Sequence, residues 1–330
     1  MKKHPVIKTI LIIVAVILVL ALGLLFVMTR DWNDEPLEDF TSDNPYITEL
    51  GKTMVSAHRS GGEIFPENTM MAFKGNIESE DFKTDIFEFD LHITKDKELI
   101  ILHDDTFDRT SDACEIFGTT DIKPEDYTYE ELRSINLGET FTTADGSTPY
   151  KGLRGDDVPD DLRVASLRDV LTYLQSNGDF SYIIEIKNGD ELGYESADIL
   201  YSTLKELGLL EKAVVGTFNG EVTQYIDDNY PDMLRSAGIK EVLGFYFSSL
   251  LGIDHEDGYY KFKALQIPAN QFVVHLGTSR LVNYAHENNI AVQYWTINDE
   301  ETMEMLRDIG ADCIMSDNPA LCYEVVNGGK

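Results

Sequence analysis

The chain has 330 residues, of which 43% are hydrophobic, enough for one large domain or two ordinary ones with a packed core. Its 59 acidic residues outnumber its 27 basic ones, giving a formal net charge of −32. Four basic residues and no acidic ones lie within the first 30 positions, which leaves a net charge of −36 on the remainder. Such a surface repels nucleic-acid backbones, so the composition excludes a nucleic-acid-binding protein.

Residues 1–30 are predicted to form a membrane-spanning helix. The apolar run 10–28 is uninterrupted, and 19 residues at about 1.5 Å each approach the roughly 30 Å thickness of a bilayer core. No small-residue cleavage site follows the run, so a cleaved signal peptide is the weaker alternative. Lys2, Lys3 and Lys8 precede it and favour a cytoplasmic N-terminus. We therefore expect a single-pass anchor in the cell membrane, with the lipid bilayer as its partner and the rest of the chain extracellular.

The remainder of the chain divides into a short tether and one large domain. Residues 31–45 are acidic and turn-rich, which predicts a linker from the membrane. Residues 46–330 contain no low-complexity linker and no obvious internal repeat, so they are expected to form the globular domain. Nine β-branched or apolar runs in it are predicted to be strands: 54–58, 86–94, 99–104, 182–187, 213–218, 233–239, 264–269, 291–297 and 313–317.

Amphipathic helical patterns lie between several of these runs, for example at 195–208 and 279–289. Strands that alternate with helices favour parallel pairing, and at this length they predict an eight-stranded (β/α) barrel of the TIM type. One of the nine strand predictions must then be wrong, and 233–239 is the least strand-like. The stretch 105–165 is rich in Asp, Gly, Thr and Pro, and it is predicted to be a loop insertion.

The three cysteines, Cys114, Cys313 and Cys322, occur without a C-x-x-C pair or any other metal-ligand spacing. Their odd number leaves two states open, a disulfide between Cys313 and Cys322 or simple buried thiols. The cysteines therefore give no prediction of function.

Acidic residues inside the predicted strands indicate a metal site. In the run 86–94, Glu88, Asp90 and His92 alternate with large apolar residues, so the three polar side chains share one face. Glu185 follows apolar residues in the same way near the end of another predicted strand. Burying three carboxylates together without a cation would cost several kcal/mol each. Glu88, Asp90 and Glu185 therefore predict a site for one divalent cation that prefers oxygen ligands, either Ca²⁺ or Mg²⁺.

Nine short motifs follow one another between residues 54 and 320. They are His58-Arg59, Pro66-Glu67-Asn68-Thr69, Glu88-Phe89-Asp90, Thr94-Lys95-Asp96, His103-Asp104, Arg109-Thr110, Glu185-Ile186-Lys187, Trp295-Thr296-Ile297-Asn298 and Ser316-Asp317-Asn318-Pro319. In kind and order they resemble the motifs of the glycerophosphodiester phosphodiesterase family. The resemblance implies a TIM-type barrel of the phospholipase-C-like phosphodiesterase kind. It also implies hydrolysis of glycerophosphodiesters to glycerol phosphate and an alcohol.

The resemblance also implies which residues carry out the reaction. It places the metal on the three carboxylates named above. It makes His58 and His103 the acid/base pair, facing each other from the first and third barrel strands. Histidine suits this work because its pKa of about 6.5 allows one ring to be neutral and another protonated near pH 7.

Further residues are expected to contact the substrate or to support the site. Arg59 and Lys187 are expected to bind phosphate oxygens, and arginine can do so through two N–H groups. Trp295 is expected to form a flat apolar wall for the glycerol or alcohol part. Glu67 and Asn68 are expected to orient their neighbours.

Two of the chain's departures from the family pattern bear on the site and its substrate. The usual His-Arg-Gly is His58-Arg59-Ser60 here, and the glycines are displaced to Gly61 and Gly62. The predicted insertion 105–165 is expected to hold the determinants of substrate choice. His92 is interpreted as a polar residue at the rim of the site.

Two other functions fit parts of the sequence. A phosphatidylinositol-type phospholipase C shares the barrel and a two-histidine mechanism, but the ordered E-x-D, H-D and E-I-K motifs argue against it. A catalytically silent, membrane-tethered binding protein would have lost His58, His103 or a metal carboxylate, and none is lost. The sequence leaves three substrate classes open for an enzyme that faces outward: deacylated phospholipids, lysophospholipids and glycerolphosphate polymers. It also leaves open whether water or the glycerol's own hydroxyl is the nucleophile.

Overall fold

A computed structural model of the protein describes residues 4–28, 34–38, 40–256, 258–271 and 274–328. Helix α1 covers His4–Met28, with side chains described at 9–23, 25 and 26. Counted over the described residues, the structure contains no helix that is long and apolar enough to cross a membrane. Lys2 and Lys3 of the predicted anchor lie outside the described residues. The anchor is not confirmed.

The domain consists of alternating strands and helices. The strands are β1 Met54–Ala57, β2 Ile86–Ile93, β3 Leu99–Ile101, β4 Ser181–Ile186, β5 Ala213–Gly216, β6 Ala264–Ile267, β7 Asn270–Gln271, β8 Val274–His275, β9 Ala291–Tyr294 and β10 Cys313–Ser316. The remaining helices are α2 Met70–Glu78, α3 Ala113–Phe117, α4 Tyr129–Leu132, α5 Leu167–Asn177, α6 Asp190–Leu207, α7 Gly220–Asn229, α8 Ile239–Leu251, α9 Ser279–Glu287, α10 Glu300–Asp308 and α11 Pro319–Asn327.

Seven strands pair in parallel in the order β5-β4-β2-β1-β10-β9-β6. The gap between the two edge strands, β5 and β6, is bridged by one short segment: Arg235 forms a parallel bridge to Val215, and Ser236 forms one to Ala264. This segment, within the least strand-like prediction, is therefore the eighth member of the ring. The nearly closed parallel ring with helices confirms the TIM-type barrel.

The extra strand among the nine predicted runs is β3. It pairs antiparallel with β2, with His92 opposite Ile100, and lies off the barrel path. The expectation that His103 extends from a third barrel strand was therefore wrong. Only residues 94–98 separate β2 from β3, whereas a parallel crossover needs about a dozen residues or more, so this connection can form only a hairpin.

The stretch 105–165 contains the short helices α3 and α4, several 3₁₀ turns and a small core of its own. That core lies against the residues of β3 and includes Phe107, Leu132, Ile135 and Val164, each fully buried. The segment is thus packed against the β3 side of the barrel around its own apolar cluster.

Inside the ring, the first inward-facing residues of the strands fill the lower half of the barrel. Ile86, Ile183, Val214 and Ala291 belong to one buried cluster, which Tyr46 joins. Because side chains alternate along a strand, the next inward positions on β2 and β4 lie above this apolar layer. They are the acidic residues that form the floor of the pocket described below.

Residues 44–48 lie across the N-terminal ends of the strands. The side-chain amide of Asn44 donates to the carbonyls of Lys263 and Asn289, which precede β6 and β9. The N–H of Thr48 donates to Asp312, immediately before β10. Part of the segment predicted as a tether is thus hydrogen-bonded to the bottom of the barrel, while residues 31–33 and 39 lie outside the described part.

The three cysteines are free thiols in the structure. Cys313 lies in β10 and Cys322 in α11, and both are buried. Burial raises the pKa of the Cys322 thiol to about 12, so it stays protonated and unreactive at neutral pH. Of the two states that the sequence leaves open, the structure has the buried thiols.

Candidate active site

A pocket opens at the C-terminal ends of the barrel strands, where side chains from successive parallel strands converge. Most of the predicted site residues line it. The lining residues include His58, Arg59, Glu88, Asp90, His103, Glu185, Lys187, Phe218, Ser236, Ile239, Val242, Gln266, Trp295 and Thr296.

Three carboxylates form the floor of the pocket. Glu88 and Asp90 come from β2, and Glu185 is the cross-strand partner of Asp90 on β4. Glu88 and Asp90 are buried, and one oxygen of Glu88 accepts the backbone N–H of Arg59 at 2.7 Å. Burial, with the negative charge of Asp90 adding to it, raises the pKa of Glu88 to about 8. The three acids predicted to act together therefore do lie together, in an environment short of positive charge.

Lys187 supplies part of the missing charge. Its ammonium lies 2.9 Å from Oδ1 of Asp90 and 2.9 Å from Oε1 of Glu185. Burial alone would lower the pKa of Lys187, but these two carboxylates outweigh burial and raise it. The predicted phosphate ligand is thus bound to the predicted metal ligands in this structure.

Among the described residues, no group of three or more His, Cys, Asp and Glu side chains is arranged to hold a metal ion. The Lys187 ammonium lies between two of the acids. The donors themselves suit a hard cation, since all are carboxylate oxygens. Asn68 adds a further oxygen: its amide N–H donates to Asp90 at 3.2 Å, and its Oδ1 is buried without a hydrogen-bond partner. The residues present therefore fit Ca²⁺ or Mg²⁺.

His58 follows β1 and is paired with an acid from the far end of the chain. Its Nδ1 lies 2.7 Å from Oδ1 of Asp317, and the Asn298 amide in turn donates to the other oxygen of Asp317 at 2.7 Å. Its Nε2 is 3.4 Å from the Thr296 hydroxyl. Burial would lower the pKa of His58, but the charges of Glu88 and Asp317 and the bond to Asp317 raise it overall. This environment favours the protonated ring.

His103 has the opposite environment. Its Nδ1 lies 2.8 Å from Asp104, and its Nε2 lies 2.9 Å from Nη2 of Arg59. Because a guanidinium only donates, Nε2 must be the unprotonated nitrogen and Nδ1 must carry the hydrogen. Burial, helped by the positive charges of Lys187 and Arg59, lowers the pKa of His103. The ring is therefore neutral, and the lone pair of Nε2 accepts the hydrogen bond from Arg59.

A second layer of ion pairs fixes this arrangement. Arg109, from the 105–165 segment, donates to both oxygens of Asp104 and to both oxygens of Glu67. Glu67 also lies 3.5 Å from Nη1 of Arg59, in line with its predicted supporting role. Hydrogen bonds from Arg109 are the main reason that the pKa of Asp104 is lowered, so Asp104 is a stable anion beside His103.

Four of these residues belong to the predicted motifs but had no predicted role: Asp104, Arg109, Asn298 and Asp317. For Asp104 a signal was available, since an acid adjacent to a candidate catalytic histidine is a natural ring partner. The pairing of His58 with Asp317 spans 259 positions, and only the barrel closure brings the two together.

The loop after β1 is held in an unusual backbone conformation. Arg59, Ser60 and Asn68 all have positive φ angles, of 48°, 62° and 56°. Ser60 occupies the position at which the family pattern has glycine, the residue that adopts this region without steric cost. Nε of Arg59 is buried without a partner, so this guanidinium retains a donor for a bound anion. Clustered strain of this kind is common at functional sites.

One side of the pocket is apolar. Trp295, predicted to form such a wall, lines it, and Phe218 meets the indole edge-on with ring centroids 6.1 Å apart. No role was predicted for Phe218, which lies two residues after the end of β5. His92, interpreted as a rim residue, is instead buried on β2, and burial lowers its pKa to about 4.

Comparison with known proteins identifies the family of the chain. The model of the glycerophosphoryl diester phosphodiesterase family matches residues 58–321, from the first catalytic candidate to the start of α11. The chain belongs to this family. It is accordingly an enzyme of the glycerophosphodiester phosphodiesterase class, a phosphoric diester hydrolase.

Relatives of this phosphodiesterase match it over most of their length. The glycerophosphodiester phosphodiesterase of Caldanaerobacter subterraneus subsp. tengcongensis is 27% identical over 278 residues, covering 84% of this chain and 99% of the relative. Human lysophospholipase D is 22% identical over 283 residues, covering 80% and 82%.

Solved structures share the barrel. A glycerophosphodiester phosphodiesterase from Agrobacterium tumefaciens superposes with a TM-score of 0.61 and 19% identity, covering 82% of this chain and 99% of the other. An Oleispira antarctica phosphodiesterase, solved with the product sn-glycerol-3-phosphate, superposes with a TM-score of 0.59 and 19% identity, covering 83% and 96%.

Proposed function

We propose that this phosphodiesterase hydrolyses glycerophosphodiesters to glycerol phosphate and an alcohol, with His103 as general base, His58 as general acid and one divalent cation. The observation that carries the assignment is the pair of histidine–aspartate contacts in one pocket, in which the two rings have pKa values shifted in opposite directions. Two titratable groups whose pKa values are driven apart are suited to acid and base roles in one reaction.

The proton transfers follow from the ring nitrogens. Nε2 of His103 accepts the proton of the attacking hydroxyl, which belongs either to water or to the substrate's glycerol. Attack by water gives glycerol phosphate directly, whereas attack by the glycerol hydroxyl gives a cyclic phosphate that a water then opens to glycerol phosphate. The imidazolium formed is stabilised by Asp104. His58 gives a proton to the oxygen of the leaving alcohol as its bond to phosphorus breaks. Arg59 stabilises the negative charge that increases on the phosphate oxygens, and it leaves Nε2 of His103 free when it turns to them.

Glu88, Asp90 and Glu185 would hold the cation, with Oδ1 of Asn68 within the same buried set. When bound, the cation would neutralise phosphate charge and so stabilise the transition state. It would also offset the charge of Glu88 on His58, leaving Asp317 as the main group that keeps this ring protonated. Lys187, no longer needed between the carboxylates, is then available to the phosphate, as the resemblance implies.

We further propose that the enzyme works at the outer face of the cell membrane, anchored by its N-terminal helix. The support is the uninterrupted apolar run 10–28 and the lysines before it. The human relative is named a lysophospholipase D, and the Oleispira enzyme was solved with sn-glycerol-3-phosphate. These names support a lipid-derived diester as substrate and glycerol phosphate as a product.

The test is a product analysis with the purified full-length enzyme. Glycerophosphocholine, lysophosphatidylcholine and a glycerolphosphate polymer are each incubated with enzyme, with and without EDTA. We expect glycerol phosphate or its acylated form from at least one substrate, loss of turnover in EDTA, and recovery with Ca²⁺ or Mg²⁺. Full activity in EDTA would refute the metal role. Release of diacylglycerol from phosphatidylinositol, with none of the three substrates cleaved, would instead identify a phospholipase C.

A further inference from the structure

Exposed apolar side chains are concentrated on one part of the domain. Outside α1, nine large hydrophobic side chains are exposed in the described chain, and seven of them lie between residues 218 and 259. The seven are Phe218, Ile239, Leu243, Phe247, Leu251, Ile253 and Tyr259. Exposed hydrophobic residues scattered singly are normal, but a contiguous patch of this kind marks a binding surface.

Four of these residues form a row along α8. Ile239, Leu243, Phe247 and Leu251 are spaced four apart, so they lie on one helix face over about 18 Å. The opposite face of α8 is already used, because Phe245 is buried in the core of the barrel. The outer row is therefore not needed to hold α8 in place.

The row carries little charge. The only charged residues of α8 are Lys240 and Glu241, both in its first turn. Glu241 is occupied by the guanidinium of Arg235 at 2.7 and 2.9 Å. Lys240 is therefore the exposed charge on α8 itself, and the exposed acids Asp254 and Glu256 follow the C-terminal end of the helix.

The row begins at the active site. Ile239 and Val242, in the first turn of α8, line the pocket, as do Phe218 and Trp295 on the apolar wall. The exposed apolar side chains thus extend from the rim of the phosphate site along the side of the barrel. We call Phe218, Ile239, Leu243, Phe247 and Leu251 the α8 strip.

We propose that the α8 strip lies against the surface of a zwitterionic lipid layer, and that the pocket takes lipid-borne phosphodiesters, namely lysophospholipids, from that layer. A single row on a convex helix fits a fluid interface, which adapts to its shape, and such helices lie with their apolar face in the headgroup region. The acidic remainder of the domain disfavours an anionic surface. The proposal that lysophospholipids are the substrate rests on the proposed phosphodiesterase mechanism, whereas the proposal that the α8 strip contacts lipid does not.

The lipid contact is tested with a fluorescent probe on the full-length protein. In a Cys114→Ser background, which removes the partly exposed native thiol, an environment-sensitive dye is attached at Leu251→Cys. The matched control carries the dye at Ile116→Cys, because Ile116 is an exposed hydrophobic residue on α3. Phosphatidylcholine vesicles with a spin-labelled lipid as quencher are then added. We expect strong quenching at position 251 and little at 116. Equal, weak quenching at both positions would overturn the proposal. It would also be overturned if the probe at position 251 were buried by self-association of the protein in the absence of lipid.

The substrate part is tested with the double variant Leu243→Glu/Phe247→Glu, with Ile116→Glu as control. We expect at least a tenfold loss of activity on lysophosphatidylcholine in phosphatidylcholine vesicles, and activity on soluble glycerophosphocholine within twofold of the wild type. An equal loss on both substrates would count against it, and Leu243→Ser/Phe247→Ser repeats the test if the charged pair lowers the melting temperature. If the wild type cleaves neither substrate, the phosphodiesterase mechanism fails, while the quenching result still decides the lipid contact.

Discussion

Helices α6 and α8 both cover the outside of the barrel, yet they present opposite surfaces to water. The exposed residues of α6 are all polar, and they include Asp190, Glu191, Lys205 and Glu206. The exposed face of α8 is a row of large apolar side chains. Both helices bury an apolar inner face against the strands, with Leu200 on α6 and Phe245 on α8. Packing against the barrel thus requires apolar residues only on the inner faces of these helices. The composition of their outer faces depends instead on what each side of the molecule contacts.

The same contrast exists inside the pocket. One wall consists of carboxylates, a lysine, an arginine and two histidines, held in a dense network of ion pairs. The other wall consists of Phe218, Ile239 and Trp295. The charged wall suits the phosphate and its chemistry, and the apolar wall suits what the phosphate is attached to.

The largest effect should come from the charged wall. Replacing His58 or His103 by Ala should reduce turnover by about 10²–10⁴-fold, because each removes a positioned proton donor or acceptor. Steady-state kinetics on glycerophosphocholine measures this. The matched control is His255→Ala, since His255 bonds to Ser248 away from the pocket and should leave turnover near normal. Near-normal turnover of His58→Ala in a folded, metal-loaded protein would contradict the acid/base assignment.

A smaller effect should separate the two histidines by pH. Asp317 raises the pKa of His58, so Asp317→Asn should lower it. His58 must be protonated to act as the acid, and the alkaline limb of the kcat profile should therefore move to lower pH. We expect a shift of about one unit, since a hydrogen bond to a charged group contributes about 1.5–3 kcal/mol and one unit corresponds to about 1.4 kcal/mol. The acid limb, set by His103, should stay in place; movement of that limb alone would reverse the roles.

The crowded carboxylates should also reduce stability when metal is removed. The pKa of Glu88 is about 8 in the folded protein and near 4.5 ordinarily, so the folded state holds an extra proton between these values. Stability in EDTA should therefore fall as pH rises through this window. Glu88→Gln, which cannot ionise, should melt a few degrees above the wild type at pH 8 but not at pH 4.5, at about 2–4 °C per kcal/mol. Scanning calorimetry checks this, and equal melting temperatures at pH 8 would contradict it.

The smallest effect should come from the outer row of α8. Because Leu251 is exposed, Leu251→Ser should change the free energy of unfolding by less than about 0.5 kcal/mol. The inner-face control Phe245→Ala should cost about 3–5 kcal/mol. Urea titration of both variants measures the difference. A large loss for Leu251→Ser would mean that the row has a structural role, which would remove the contrast with α6.

Much of the site could be predicted because it depends on local patterns. Two-residue alternation in β2 placed Glu88 and Asp90 on one face, and the IIEIK run placed Glu185 beside them. The antiparallel position of β3 was also predictable, since five residues cannot make a parallel crossover. The pairing of His58 with Asp317 depends on barrel closure, and the position of Lys187 depends on the local balance of charge, so neither follows from spacing. The prediction that His92 lies at the rim of the site was wrong because its polarity predicts exposure, whereas β2 is buried along its whole length.

The hydrogen bonds of Asn44 and Thr48 attach the segment before β1 to the bottom of the barrel. The segment before β1, here called the leader, joins the domain at the end opposite the pocket, and α8 runs along the side between the two ends. If the barrel axis were perpendicular to the membrane, with the leader at the membrane surface, the pocket would lie one barrel height away from the membrane. It could not then reach a lipid. With the leader in the membrane and α8 on its surface, as proposed, the barrel axis lies in the membrane plane and the pocket opens sideways along it.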